Sequence, residues 1–277
     1  MNLLLRINGN DKSIEFTILS DCALAFKESI SASSRRNRSN IVLALDLPPK
    51  DSKTLLRRSL KLLDSVHPYL CAVKVNRHLT LPLGPSGVEE IVSRVHKYNL
   101  PAIMDCKIND IGSTNATIAE YYFRVGFDAL TANPFVGWTG GLEPVFKVAR
   151  KRDCGVILLV YMSHAGAREG YGQPVYNPET GEKEFQYILF AKKALAWKAD
   201  GVVVGATYPE KIREVAEVLE GEIPIYSPGV GVQGGNVVDA LEAGATYLIV
   251  GRAIVNTESP VESAKMIRDT AWFSLKI

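Results

Sequence analysis

Short apolar runs rich in β-branched residues recur along most of this chain, and longer segments with a helical period separate them. The runs cover 41–45, 70–75, 102–106, 129–132, 155–160, 201–204, 223–226 and 247–250. They are apolar throughout rather than alternating, as expected of strands buried on both faces. The intervening segments predict helices at 52–65, 88–98, 115–125, 142–151, 186–197, 210–219, 236–243 and 261–270. Eight alternating units predict a parallel sheet, and the number eight predicts its closure into a single α/β domain, a (β/α)8 TIM barrel. An open, doubly wound sheet is the alternative that rhythm alone leaves standing.

Two stretches break the rhythm. Residues 1–21 show no clear period, 23–33 could form a helix, and 34–40 (SRRNRSN) are polar and basic. Residues 1–40 therefore read as a short N-terminal extension, an arm with room for one helix, ahead of a barrel domain at 41–277. The other stretch lies between Val160 and the helix at Gln186. There, 168–184 (REGYGQPVYNPETGEKE) has the Gly, Pro and Asn content of a loop. Because it follows a strand, it would lie on the barrel face where active sites form.

Composition fits this picture. The chain has 277 residues, 47% hydrophobic and 22% charged, with a formal net charge of +2. That is material for one large core, without the basic footprint expected of a nucleic-acid binder. Cys22, Cys71, Cys106 and Cys154 form no Cys-x-x-Cys pair and read as buried thiols of a reducing cytosol. The four histidines have no metal-type spacing. No apolar stretch reaches the roughly 18 residues of a membrane span, and residues 1–6 are too short an apolar core for a signal peptide. The expectation is a cytoplasmic protein with no membrane or nucleic-acid partner and no metal or other cofactor.

In a barrel, function sits at the C-terminal ends of the strands, so polar residues there are site candidates. The first three strands supply an unusual set: Asp46 after strand one, Lys74 in strand two, and Asp105, Lys107 and Asp110 at the end of strand three. Asp105 and Lys107 are two apart, which on a regular strand puts them on one side. Ion pairs that merely close the barrel are the plain alternative. Five such groups on adjacent strands argue against it, since burying charge costs several kcal/mol unless the pairing is good. A lysine between carboxylates keeps its proton, and can stabilise a carbanion and then protonate it. At the far rim, 227–235 (SPGVGVQGG) follows strand seven and Gly251-Arg252 follows strand eight. Barrels often bind phosphate between these two loops, where glycines admit backbone N–H groups and an arginine supplies a forked donor. Thr131 and Asn133 end strand four, but Asn before Pro134 is a common turn signal, and neither is assigned. His164 is likewise left without an acid–base role.

The run Asp105-x-Lys107-x-x-Asp110 followed by Ile111-Gly112-Ser113-Thr114-Asn115 resembles the signature of the orotidine 5′-phosphate decarboxylase family. The resemblance extends through Ala44-Leu45-Asp46, Val73-Lys74, Met162-Ser163-His164-x-Gly166-Ala167, Ser227–Gly235 and Ile249-Val250-Gly251-Arg252. It implies that Lys107 protonates C6 of the pyrimidine as carbon dioxide leaves, that Asp105 sits beside the scissile carboxylate, and that Lys74 orders the array and contacts ribose. It also implies that Asp46 binds a ribose hydroxyl, Ser163 reads the pyrimidine amide edge, and Gln233, Gly251 and Arg252 hold the phosphate. Asp110 and Thr114 would reach into a neighbouring subunit's site, making the enzyme a homodimer with shared sites. Gly112, where the family often has proline, and the long loop after Ser163 are departures. A related magnesium-dependent sugar-phosphate decarboxylase or aldolase is the alternative, but it would want an acidic residue on strand two, where this chain has Lys74. A non-catalytic ligand-binding barrel would be expected to have lost part of the charged array.

Overall fold

The computed structural model describes residues 25–48, 50–178, 180–231 and 234–274. Its strands are β1 (Ile41–Ala44), β2 (Ala72–Asn76), β3 (Ala102–Ile108), β4 (Ala129–Ala132), β5 (Gly155–Tyr161), β6 (Pro174–Tyr176), β7 (Lys183–Phe185), β8 (Gly201–Val204), β9 (Ile225–Pro228) and β10 (Tyr247–Val250). Eight of them close a barrel in the order β1-β10-β9-β8-β5-β4-β3-β2, every pairing parallel. The fold is the predicted (β/α)8 barrel, and the open sheet is excluded. The long connection after β5 is not all loop: β6 and β7 pair as a small antiparallel hairpin outside the barrel.

The helices are α1 (Phe26–Asn37), α2 (Ser52–Val66), α3 (Arg77–Lys97), α4 (Gly112–Val125), α5 (Glu143–Arg150), α6 (Ala167–Gly170), α7 (Gln186–Trp197), α8 (Pro209–Leu219), α9 (Val237–Glu242), α10 (Arg252–Val255) and α11 (Pro260–Ser274). Local chemistry sets several ends. The Asp51 carboxylate caps α2 by accepting from the Thr54 N–H at 2.9 Å, and Gly126, in the left-handed region at φ 107°, terminates α4. The largest departure from the sequence pattern is α3, which starts eleven residues before its expected start at 88. Pro82 and Pro85 punctuate its first half, and the helix kinks at Gly84, so the periodic signal is broken there.

Two apolar shells hold the molecule together. Side chains such as Leu43, Val75, Met104 and Leu158 pack between the strands and the surrounding helices. Alternate residues, among them Val42, Ile103, Ile157 and Tyr226, fill the inside of the barrel. α1 lies under the N-terminal end of the strands, beginning later and running further than the 23–33 expected. Its Phe26 and Ile30, each 1% exposed, join the interior shell. Burial at this level stabilises by roughly 1.5–3 kcal/mol for each side chain. The Phe26 ring enters because strand β5 begins with glycine: a Cβ on Gly155 would stand 2.3 Å from that ring. Backbone and side-chain bonds pin the same end. The Phe26 N–H donates to the Asp153 carbonyl at 3.2 Å and Asn40 Nδ2 to the Thr246 carbonyl at 2.8 Å.

Candidate active site

A cavity of about 300 Å³ opens at the C-terminal ends of the strands, and each of the eight barrel strands contributes to its wall. At its centre is Asp105 on β3. Its Oδ2 meets Lys74 Nζ from β2 at 2.6 Å, and its Oδ1 meets Lys107 Nζ at 2.6 Å. Asp46, just past β1, accepts from Asn76 Nδ2 at 2.8 Å through Oδ1. The side chains of Lys74 and Asp105 are 8% and 10% exposed, while that of Lys107 is 39% exposed and faces the opening.

The electrostatics follow from this packing. Burial opposes the charge on Asp105, but the ammonium groups of Lys74 and Lys107, by charge and by hydrogen bond, hold its carboxyl well below the usual carboxylate range. Burial also opposes the charge on Lys74, and the carboxylates of Asp105 and Asp46 more than offset it, raising its pKa. Lys74 and Asp105 are therefore both charged at neutral pH. Such an array cannot be halved without leaving a buried charge unpaired.

Lys107 does not reach the cavity by plain strand alternation. The register between β3 and β4 shifts between Met104 and Ile108, and Lys107 itself takes φ 47°. A non-glycine residue in this region costs on the order of 1–3 kcal/mol, and bulges of this kind re-aim side chains beside functional sites. The expectation that Asp105 and Lys107 share a side holds, but through a bulge. Two bonds secure it. The Lys107 N–H donates to Thr131 Oγ1 at 3.0 Å, and the Arg77 guanidinium donates to the Cys106 carbonyl from the outer face.

The opposite rim is made by Pro228, the last residue of β9, by Gly229 and Val230 after it, and by Gly251 and Arg252 after β10. The β9 loop folds back on itself, with Gly231 N–H donating to the Gly235 carbonyl at 2.9 Å and Gly235 N–H to the Gly229 carbonyl at 3.1 Å. Gly229 and Gly231 have φ of 98° and 82°, a conformation that demands glycine. Ser163 lines the wall after β5. Asp46, Lys74, Asp105, Lys107, Ser163, Gly251 and Arg252 thus surround one cavity. Gln233 lies outside the described residues. Asp110 and Thr114 are exposed and do not line the cavity of their own chain. The Asp110 backbone is fixed all the same, since its N–H donates to Asn115 Oδ1 at 3.0 Å and Asn115 Nδ2 donates to the Gly141 carbonyl at 3.0 Å. The glycine at position 112 has a local reason: a Cβ there would stand 3.0 Å from the Gly140 carbonyl oxygen and 3.1 Å from Pro144.

Two polar cavity residues carry no assignment from the sequence: Asn76 is not singled out there, and Thr131 is noted at the end of strand four without a role. Asn76 holds Asp46, and Thr131 Oγ1 donates to Asp105 Oδ1 at 2.9 Å. The available signal for Thr131 was a hydroxyl in an otherwise apolar buried strand. Among the described residues, no group of three or more His, Cys, Asp or Glu is placed to hold a metal ion.

A sequence profile described as Orotidine 5'-phosphate decarboxylase / HUMPS family matches residues 39–267. The chain belongs to this family. An orotidine 5′-phosphate decarboxylase from Methanococcoides burtonii is 34% identical over 235 residues, 85% of this chain and 97% of that protein. Among solved structures, the orotidine 5′-monophosphate decarboxylase of Methanocaldococcus jannaschii complexed with the inhibitor BMP is similar with a TM-score of 0.71. It is 31% identical, covering 84% of this chain and 98% of its own. The Leishmania donovani OMP decarboxylase, 22% identical, has a TM-score of 0.80 over 92% of this chain and the whole of its own, a likeness of fold. As a member of the orotidine 5′-phosphate decarboxylase family, the chain is an enzyme of the carboxy-lyase class. The sugar-phosphate alternative is not favoured, and β2 carries Lys74 in the place where such an enzyme would want a carboxylate. No helix among the described residues is long and apolar enough to cross a membrane.

Proposed function

We propose that this cavity converts orotidine 5′-phosphate to uridine 5′-phosphate and carbon dioxide, in the cytoplasm, as a step of pyrimidine biosynthesis. The observation that carries the reading is the alternation of Lys74, Asp105 and Lys107 at contacts of 2.6 Å, with the most exposed ammonium turned to the opening. In the proposed reaction the phosphate binds at Gly251, Arg252 and Gln233, Asp46 takes a ribose hydroxyl, and Ser163 meets the pyrimidine amide edge. The substrate carboxylate then lies beside Asp105. The bond from C6 to the carboxylate breaks, its electron pair stays on C6, and carbon dioxide leaves. Lys107 stabilises that charge and delivers a proton to C6, and the neutral amine regains its proton from water. A preorganised ammonium where charge develops is the largest single aid such a site can give. Remote phosphate binding supplies energy to hold the carboxylate in place. No further group is required as an electron sink.

The reading extends to a homodimer. Leu81, Ile111 and Phe135 are 78%, 65% and 65% exposed, and they follow β2, β3 and β4 in the chain, on the cavity side of the barrel. Large exposed apolar side chains on that side suit a second copy of the chain, which would receive Asp110 and Thr114 at its own cavity. The catalytic domain in this reading is 41–277, with 1–40 as its extension.

The direct assay mixes purified protein with orotidine 5′-phosphate in excess EDTA and follows loss of the orotate absorbance. Turnover is expected. No turnover there, with EDTA-sensitive activity on a sugar phosphate instead, would overturn the assignment. Sharing is tested by mixing two inactive variants, Lys107→Ala and Asp110→Ala. A statistical mixture should regain about a quarter of wild-type activity, since each mixed dimer keeps one intact site of two. No regain would remove the shared-site reading.

A further inference from the structure

Strand β4 reads Ala-Leu-Thr-Ala, and its one polar side chain, Thr131, is 2% exposed. The hydroxyl donates its proton to Asp105 Oδ1 at 2.9 Å and accepts the Lys107 backbone N–H at 3.0 Å. Its only proton and one of its lone pairs are both spent on the two residues to which the chemistry has been assigned. We propose that Thr131 is a positioning residue, a rigid peg that fixes the Asp105 carboxylate and the Lys107 turn relative to one another. The inference rests on the reading of this cavity as the decarboxylation site.

Three side chains hold Asp105. Lys74 and Lys107 reach it at the ends of long, flexible side chains, and would follow the carboxylate if it rotated. Thr131 is β-branched and set in a strand, so its χ1 is restricted and its hydroxyl points in a fixed direction. It alone of the three gives the carboxylate a stationary reference. The second bond matters as much. The bulge takes the Lys107 N–H out of the regular ladder between β3 and β4, which resumes only at Ile108 and Ala132. Thr131 Oγ1 supplies that N–H with a buried partner, which a buried donor requires. On the outer face Arg77 donates to the Cys106 carbonyl, so the segment is gripped from both sides. Loss of the inner grip frees the ammonium and the carboxylate to drift, and small misplacements of reacting groups are costly to rate.

The test uses the full chain with Thr131→Val, which keeps the shape and removes both bonds, and Thr131→Ser, which keeps both. kcat and KM for orotidine 5′-phosphate are measured, with the thermal midpoint taken with and without uridine 5′-phosphate. Lys107→Ala is the control. Thr131→Val is expected to lower kcat by roughly 10- to 100-fold, the range of a hydrogen bond to a charged group, with KM within about threefold. Product-induced stabilisation should stay intact. Thr131→Ser should recover kcat to within about threefold of wild type. The proposal is overturned if Thr131→Val keeps kcat within about twofold of wild type, or if Thr131→Ser is as slow as Thr131→Val, which would make the methyl group the cause. It is also overturned if Thr131→Val loses product-induced stabilisation in step with kcat, which would mean a collapsed cavity. Should Thr131→Val not fold, Thr131→Cys, which weakens both bonds at similar size, is judged by the same values. Wild-type turnover in Lys107→Ala would sink the site reading and this inference together. An inactive Lys107→Ala beside an unimpaired Thr131→Val would sink this inference alone.

Discussion

The two ends of this barrel are built from the same eight strands and have opposite chemistry. At the N-terminal end, Phe26 and Ile30 of α1 fill the opening with apolar side chains, 1% exposed. At the C-terminal end, Lys74 and Asp105 are nearly as deeply placed but carry full charges, and beside them Lys107 sits in a backbone conformation that strands avoid. The first arrangement gains free energy from water exclusion. The second gains little and must be held by mutual pairing, because each charge alone would be heavily penalised. Stability and chemistry are thus assigned to different mouths of one barrel, and substitutions at the two ends should separate them.

The largest separation is expected at the charged end. Lys107→Ala should lower kcat at least about 10⁴-fold, combining loss of a proton donor with loss of an electrostatic stabiliser. Its thermal midpoint should stay near that of wild type, because Asp105 keeps Lys74 as a partner. A variant that turned over normally, or that unfolded, would break the comparison. Phe26→Ala should do the reverse. Emptying this socket should destabilise by about 3–5 kcal/mol, visible in urea or thermal unfolding, with kcat per folded molecule little changed. An unaltered midpoint would mean that α1 is not a structural plug. The smallest effect concerns pH. His96 Nε2 pairs with Asp128 Oδ2 at 2.9 Å, and the same oxygen accepts the Ala102 N–H at the start of β3. The hydrogen bond to Asp128, and then its charge, outweigh partial burial and raise the pKa of His96. A raised folded-state value makes this contribution complete below the unfolded value of about 6.5, and it is lost as pH rises through the folded one. The midpoint difference between wild type and His96→Gln should therefore be widest near about pH 6 and narrow toward about pH 9. A constant difference across that range would show that the pair does not titrate as described.

Much of this contrast could be read from the sequence, and the limits have physical causes. Continuous apolar runs marked the strands because both of their faces are covered. β4 and β8 match the expected ranges residue for residue. The charged groups stood out because charge is rare at strand ends that face a core. Three features were hidden. The bulge at Lys107 has no glycine to announce it, since a lysine carries the positive φ. Thr131 stands as a polar strand end without a role, because nothing in the local pattern tells that its hydroxyl meets Asp105 on the adjacent strand β3. β9 was expected at 223–226 but runs Ile225–Pro228, because Pro224 sits where the apolar run had suggested a strand interior. In the first two cases the deciding partner is distant in sequence, and periodicity reports only on neighbours.

The missing side chain at Gly155 has a consequence for how this protein can vary. A methyl group there would occupy the place of the Phe26 ring, so the two positions form one lock across widely separated parts of the chain. Change in either half alone costs stability, whereas a smaller partner for a larger one would restore the fit. Variation at this pair should therefore be paired, and a library that randomised Gly155 together with Phe26 should return folded clones whose combined volume is nearly constant.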